Sequence, residues 1–422
     1  MPPIAGSHRL SDIYMPKALR LPTTNIHAKG DFTINVLLGS EAVTLKLILD
    51  TGSSTLAVHS DEYNPASDNH LNTTPLVQEV IYGLGGWAGP VAKTSMQLHG
   101  NVSLHLNDNY VAIASSQNPP FAKADGILGL AYKRLNQAVD ISAYLEQQLP
   151  PAQASLPWPF AQCGVTQLQD INSILQHYPK QQLTPWFSNI EQHGIIADTF
   201  AFYCQRSSIH FPSPDNNDAI NDPLNQGWFI LGGGTEQTDL FEGDFQSIRV
   251  LHDVYYNVEL TAVQVGSSPA ISCPVGNSAD GANGFVDTGA SAILLPESIY
   301  QQIVQHIGDV NPALKPILAQ IPAFNGTEQG LPAHLIDVSQ WPTLYFSFVG
   351  ENGETVKLAC PPYDYWQVNA PAFGLCSFKI IPQLTHFADQ AIIGLPLLCN
   401  YYAVFDRAEH QTGVVRLAKA KR

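Results

Sequence analysis

The sequence predicts an all-β protein with a few short helices. Period-two alternation of apolar residues recurs along the chain. Gly, Asn and Pro punctuate the alternating runs, and one strand-to-turn motif occurs twice. In order, Phe32, Ile34, Val36 and Leu38 alternate with polar or small residues, as do Val43, Leu45, Leu47 and Leu49. Val102, Leu104 and Leu106 follow, then Leu344, Phe346 and Phe348. The clearest helix starts at Pro296 as a first-turn proline, carries Ile299, Ile303 and Ile307 on one face, and stops at Gly308. A second is expected around Ile171, Ile174 and Leu175. Residues 134–190 are rich in Gln and Pro. Leu168, Ile171, Leu175, Trp186 and Phe187 give them enough apolar surface to dock, so they read as a surface insertion rather than a linker. Pro212–Gln226 reads as a polar loop near a domain boundary.

The 422 residues allow two or three domains. Charged residues are 13% of the chain and apolar ones 45%, a globular balance. The net charge of −16 argues against nucleic acid as a partner, because phosphate binding needs a basic face. No apolar run reaches the ~18 residues of a membrane-spanning helix; Ala391–Cys399 is among the longest. The N-terminus lacks a basic head followed by an apolar core, so the expected location is the cytoplasm, or else this is the mature form of a secreted protein.

The repeat carries the chemistry. Asp50-Thr51-Gly52-Ser53 follows the apolar run LKLIL, and Asp287-Thr288-Gly289-Ala290 follows GFV. Far downstream of each, two apolar residues precede a glycine: Ile127-Leu128-Gly129 after the first, Ile392-Ile393-Gly394 after the second. A lone Asp-Thr-Gly arises by chance in roughly one chain in twenty of this length, whereas two in matching contexts point to two related halves with one carboxylate each.

On these motifs the chain resembles the pepsin-like aspartic endopeptidases from about residue 28 to 418, most closely the bacterial shewasin type. Ile81-Tyr82-Gly83-Leu84-Gly85 resembles the family's flap hairpin, and ADGILGLAY at 124–132 and Tyr401–Asp406 are close to family patterns. The resemblance implies a bilobal fold with pseudo-twofold lobes and an interlobe cleft. It divides the chain into an extension at 1–27 (a possible first interlobe strand), an N-terminal lobe at 28–235 and a C-terminal lobe at 236–422. It implies peptide hydrolysis by Asp50 and Asp287, one carboxylate activating water and one carboxylic acid protonating the scissile carbonyl, at acidic pH. Two adjacent carboxyls share a proton because both cannot ionise cheaply. Thr51 and Thr288 would tie the two turns together, Gly52 and Gly289 would let backbone N–H groups reach the carboxylates, and Ser53 would bond Asp50. Tyr82, Gly83, Leu84 and Gly85 would form a mobile lid, with Phe121 lining the cleft. Polypeptides with hydrophobic residues around the scissile bond are the implied substrates and statine-type compounds the implied inhibitors. Metal and cofactor are not needed, and one chain supplies both Asp, so a monomer is expected.

Departures from the family pattern carry their own expectations. Ala290 stands where many relatives have Thr or Ser, Leu395 where many have Asp, and Ala57 where many have a flap-supporting Trp. Loss of a hydroxyl donor raises a carboxyl pKa, so the optimum should lie above that of the most acidic members. Residues 57–100 contain no Cys, although relatives commonly carry a small disulfide loop there. Cys360 and Cys376 could pair across a hairpin, or all six thiols could stay reduced. His59, Asp61, Glu62, Asp68 and His70 lack metal-site spacing and read as a solvated loop. Two rivals stand beside the enzyme: a catalytically dead binding homologue, and a zymogen whose residues 1–27 use Arg9, Lys17 and Arg20 to cover cleft carboxylates. With every carboxylate protonated the chain would carry about +34, so mild rather than extreme acidity suits it.

Overall fold

The structure is a computed structural model that describes residues 18–82, 85–118, 121–384, 390–410 and 412–422. In the first half, the strands Asp31–Leu38, Val43–Asp50, Gly126–Gly129, Leu56–His59, Ser103–Ala114 and Gly85–His99 pair in that order. The last also pairs with the first, closing a barrel. Phe32, Ile34, Val36 and Leu38 fill its interior with Leu45, Leu47 and Leu49, as their alternation predicts. Val102 does not join them. The strand begins at Ser103, so Val102 lies in the turn before it and is exposed.

The same sheet runs on through Leu19–Ala28, Gln226–Leu231, Thr199–Tyr203, Tyr401–Asp406, Val414–Ala420 and Phe241–Arg249. Strands from both ends of the chain therefore share one hydrogen-bonded layer. In the second half, Gly284–Val286 lies beside Ala391–Ile393, which pairs with Ile293–Leu295. Leu344–Val349, holding the buried Leu344, Phe346 and Phe348, pairs with Leu260–Val265 and Thr355–Cys360.

The predicted helix is Glu297–Val310, with Ile299, Ile303 and Ile307 buried. Pro296 is its N-cap rather than its first residue, and Gly308 lies inside it instead of stopping it. A Cβ there would come within 2.9 Å of Lys315 Cγ, so the lysine side chain lies directly over the glycine. In the Gln/Pro-rich stretch, the helices Ser142–Glu146, Pro159–Gln162, Leu168–Leu175 and Trp186–Gln192 dock on the barrel. Phe160, Ile171 and Leu175 pack with Val77, Ala88 and Trp158, while Trp186 Nε1 donates to Gly129 O (2.7 Å). Pro212–Gln226 is not a bare loop, because Asn216–Asn221 and Pro223–Asn225 form 3₁₀ turns capped by Asp215 and Asp222. Among the described residues, no helix is long and apolar enough to cross a membrane.

Three expectations change here. Asp68 is buried, accepting hydrogen bonds from Tyr63, Thr94, Ser40 and His70. Burial pushes its carboxyl up, but these donors outweigh that and hold it at about 2, so this part of the loop is not merely solvated. Cys360 faces Leu344 and Cys376 faces Leu331 and Val368, so these two cysteines are not paired across a hairpin. Arg20 bonds Asp239 (2.8 Å) and stacks on Trp228, which removes it from any role over the cleft; Arg9 and Lys17 lie outside the described residues.

Candidate active site

Asp50 ends the strand Val43–Asp50, which pairs in parallel with Gly126–Gly129 and places Asp50 opposite Gly129. Asp287 follows Gly284–Val286, which pairs in parallel with Ala391–Ile393. The strands after each motif, Leu56–His59 and Ile293–Leu295, run antiparallel to those same downstream segments. The repeat in sequence is thus a repeat in topology, and it delivers two strand ends to one place.

The two turns are tied reciprocally. Thr51 Oγ1 donates to Val286 O (2.9 Å) and accepts from Thr288 N (2.9 Å). Thr288 Oγ1 donates to Leu49 O (2.9 Å) and accepts from Thr51 N (3.1 Å). Both threonines are fully buried, so each hydroxyl satisfies backbone groups that water cannot reach.

Gly52 N–H donates to Asp50 Oδ1 (2.7 Å) and Gly289 N–H to Asp287 Oδ1 (2.8 Å). The glycines have a second reason to be glycine. A Cβ on Gly52 would stand 2.6 Å from Asp287 Oδ2, and one on Gly289 would fall on Asp50 Oδ1. Each glycine makes room for the opposite carboxyl.

The carboxyls act directly on one another, and burial raises both pKa values. Asp287 rises well above the usual range because the Asp50 charge adds to its burial, with Asp31 contributing further. Asp50 is opposed by Ser53, by Gly52 N–H and by Asp287 itself. The Ser53 hydroxyl is buried beside Asp50, though short of full hydrogen-bond geometry. Ala290 offers Asp287 no hydroxyl. The two environments therefore differ, and the shared proton belongs to the pair.

The pair lies in a cleft of about 960 Å³ lined from both halves of the chain. Phe121 lines the cleft, held at φ 55° and packed on Trp87. Ala290 lines the cleft, while Leu395 is buried in the core beneath and donates its N–H to Ala290 O (2.8 Å). Ala57 is buried in one apolar cluster with Trp87, which lies on the hairpin strand Gly85–His99. The predicted lid is a hairpin in which Asn72–Tyr82 pairs with Gly85–His99, Tyr82 opposite Gly85. Its Val80 and Ile81 line the cleft. Gly83, Leu84 and the Tyr82 side chain lie outside the described residues.

Sequence reasoning missed several lining groups. Tyr255 and Phe285 stack at 4.7 Å beside the pair. Asp31, Glu328 and Lys379 form a charged corner, in which the buried Lys379 pairs with Glu328 (3.0 Å) and Ser208 Oγ also donates to Glu328. Burial raises the Asp31 carboxyl to about 8. Lys379 opposes this and the Asp50 and Glu328 charges add to it, while Asp31 Oδ1 is shielded from water without a hydrogen-bond partner. Nothing local marks these residues, because they meet only when distant strands close the cleft. Glu351, Glu409 and His410 also converge, outside the cleft, where Arg416 already pairs with both glutamates.

The model of a family described as eukaryotic aspartyl protease matches residues 31–148 and 175–419 and leaves 149–174 unmatched. The chain is 21% identical over 428 residues to pepsin-3 of Oryctolagus cuniculus, covering 97% of this chain and 88% of that one. It is 21% identical over 409 residues to β-secretase of Strongylocentrotus purpuratus, covering 91% of this chain and 66% of that one. It is 21% identical over 401 residues to pepsin A of Bos taurus, covering 90% and 82%.

Proposed function

The chain belongs to the pepsin-like family of aspartic proteases and is an aspartic-type endopeptidase; from that premise we propose that Asp50 and Asp287 are its catalytic pair. The observation that carries this reading is the mutual contact of two buried carboxyls, held by turns that exchange threonine hydrogen bonds. Asp50, ionised, takes a proton from a water bound between the carboxyls, and the hydroxide equivalent adds to the scissile carbonyl carbon. Asp287 gives its proton to the carbonyl oxygen. Collapse of the tetrahedral diol returns one proton to Asp287 and passes the other from Asp50 to the leaving amine. Water supplies the oxygen of the new C–O bond, the C–N bond breaks as the amine is protonated, and the two carboxyls move every proton, so the proposed chemistry draws on no cofactor.

The substrate is an extended polypeptide lying beneath the Asn72–Tyr82 hairpin. Phe121, Tyr255, Phe285, Leu294 and Ile392 favour hydrophobic side chains around the scissile bond. The optimum is acidic, because the pair works with one proton between two carboxyls. The lobes meet at about residue 235, and the working unit is a monomer, since one chain provides both Asp. Statine-type compounds, whose hydroxyl mimics the tetrahedral state, are the matching inhibitors.

The test is incubation of the full chain with a peptide library from pH 3 to 7, with an Asp50→Ala control and a statine-type inhibitor. Cleavage with a bell-shaped pH dependence, lost in the variant and blocked by the inhibitor, is expected. Cleavage that survives Asp50→Ala would overturn the assignment.

A further inference from the structure

Two cysteines that nothing in the proposed chemistry uses are brought together in the core. Cys204 Sγ and Cys399 Sγ stand 2.7 Å apart, and both residues are buried. They are separated by nearly half the chain. Cys204 directly follows the strand Thr199–Tyr203, which lies in the layer shared by the two ends of the chain. Cys399 closes the helix Leu395–Leu398, whose first residue holds Ala290 O in the Asp287 turn. Two thiols that merely pack do not approach so closely; the pair is near bonding geometry, in which S–S is about 2.05 Å.

We propose that Cys204 and Cys399 form a disulfide under oxidising conditions, a covalent strap from the shared strand layer to the helix supporting the Asp287 turn. The oxidant is a low-molecular-weight disulfide such as glutathione disulfide. A thiolate from one cysteine attacks it, releasing one glutathione thiol and leaving a mixed disulfide. The other cysteine, as thiolate, then displaces the second glutathione. Two S–H bonds are lost and one S–S bond forms. The two electrons reduce glutathione disulfide to two thiols, and the two protons pass to these products.

Burial pushes the Cys399 thiol well above its ordinary value, so the folded reduced pair is slow to react and the strap forms while the chain folds. A reducing compartment leaves it open. The remaining cysteines have no comparable sulfur neighbour: Cys360 Sγ donates to Pro396 O and Cys163 bonds Tyr144 and Gln148. The six cysteines would then yield one bond and four thiols.

The test is refolding of the full chain in a buffer of reduced and oxidised glutathione. It is followed by denaturation, alkylation without reduction, proteolysis and mass spectrometry. A Cys204–Cys399 cross-linked peptide with the other four cysteines alkylated is expected. A Cys204→Ser variant, refolded alike, should show five alkylated cysteines and melt about 5 °C lower, because closing so long a loop restricts the unfolded chain. Should that variant fail to fold, Cys399→Ala and the reduced wild type give the same comparison. Six alkylated cysteines in the wild type after oxidative refolding, or a cross-link joining any other pair, would overturn the proposal.

Discussion

Ala290→Thr tests the electrostatic asymmetry of the pair most directly. Ser53 stands three residues after Asp50 and its hydroxyl is buried beside that carboxyl; Ala290 stands three after Asp287 and has none. A threonine hydroxyl aimed at Asp287 stabilises its ionised form by about 1.5 kcal/mol, the size of a hydrogen bond to a charged group. At 1.36 kcal/mol per pKa unit, the second proton of the pair leaves about one unit lower. Asp287 must hold that proton to protonate the carbonyl, so the alkaline limb of the kcat/KM profile moves about one unit towards acid. The acid limb, set by protonation of Asp50, moves less. The assay is a fluorogenic peptide followed from pH 3 to 8. Ala290→Val adds the same bulk without a hydroxyl and should leave the alkaline limb in place. An alkaline limb that stays put in Ala290→Thr, or shifts equally in Ala290→Val, would refute the reasoning.

Other perturbations have distinct signatures. Gly289→Ala puts a Cβ on Asp50 Oδ1 and should lower kcat by about 10²-fold through misplacement of the pair, with fluorescence-monitored melting changed far less. Asp31 has a folded pKa of about 8 against an ordinary 3.8, so the folded state holds a proton that the unfolded chain releases first. Its contribution to stability is full below pH 3.8 and is lost as pH rises towards 8, by up to about 4 kcal/mol at pH 7. Asp31→Asn should remove that loss, seen as urea midpoints that differ less between pH 4 and pH 7 than in the wild type. Asp68 works the other way: held at about 2, it stabilises the fold above pH 3.8 and loses this as pH falls towards 2. Asp68→Asn should flatten the acid side of a thermal-stability profile between pH 4 and pH 2.

The site was legible where chemistry is written as contiguous residues. Asp50-Thr51-Gly52 and Asp287-Thr288-Gly289 each follow an apolar strand, and alternation named the buried faces of the strands that carry them. Legibility failed where an outcome depends on a neighbour remote in sequence. Gly308 reads as a helix stop until Lys315 is seen packed against it. Asp68 reads as solvated until Tyr63 and Thr94 are seen to donate to it. Trp87 is an ordinary strand residue until it shares a cluster with Ala57.

By itself, then, the sequence determined a largely β chain of two related halves, each presenting one carboxylate at a strand end. Strand periodicity and turn composition are local properties, and a repeated motif is visible without coordinates. Tertiary structure decided the rest. It set the raised pKa of both carboxyls, because that depends on burial and, for Asp287, on the charges of Asp50 and Asp31. It set why both motif glycines must lack a Cβ, because the obstructing atoms belong to the other half. It also chose Cys204 and Cys399 from fifteen possible pairings of six cysteines, because distance between side chains exists only once the chain is folded.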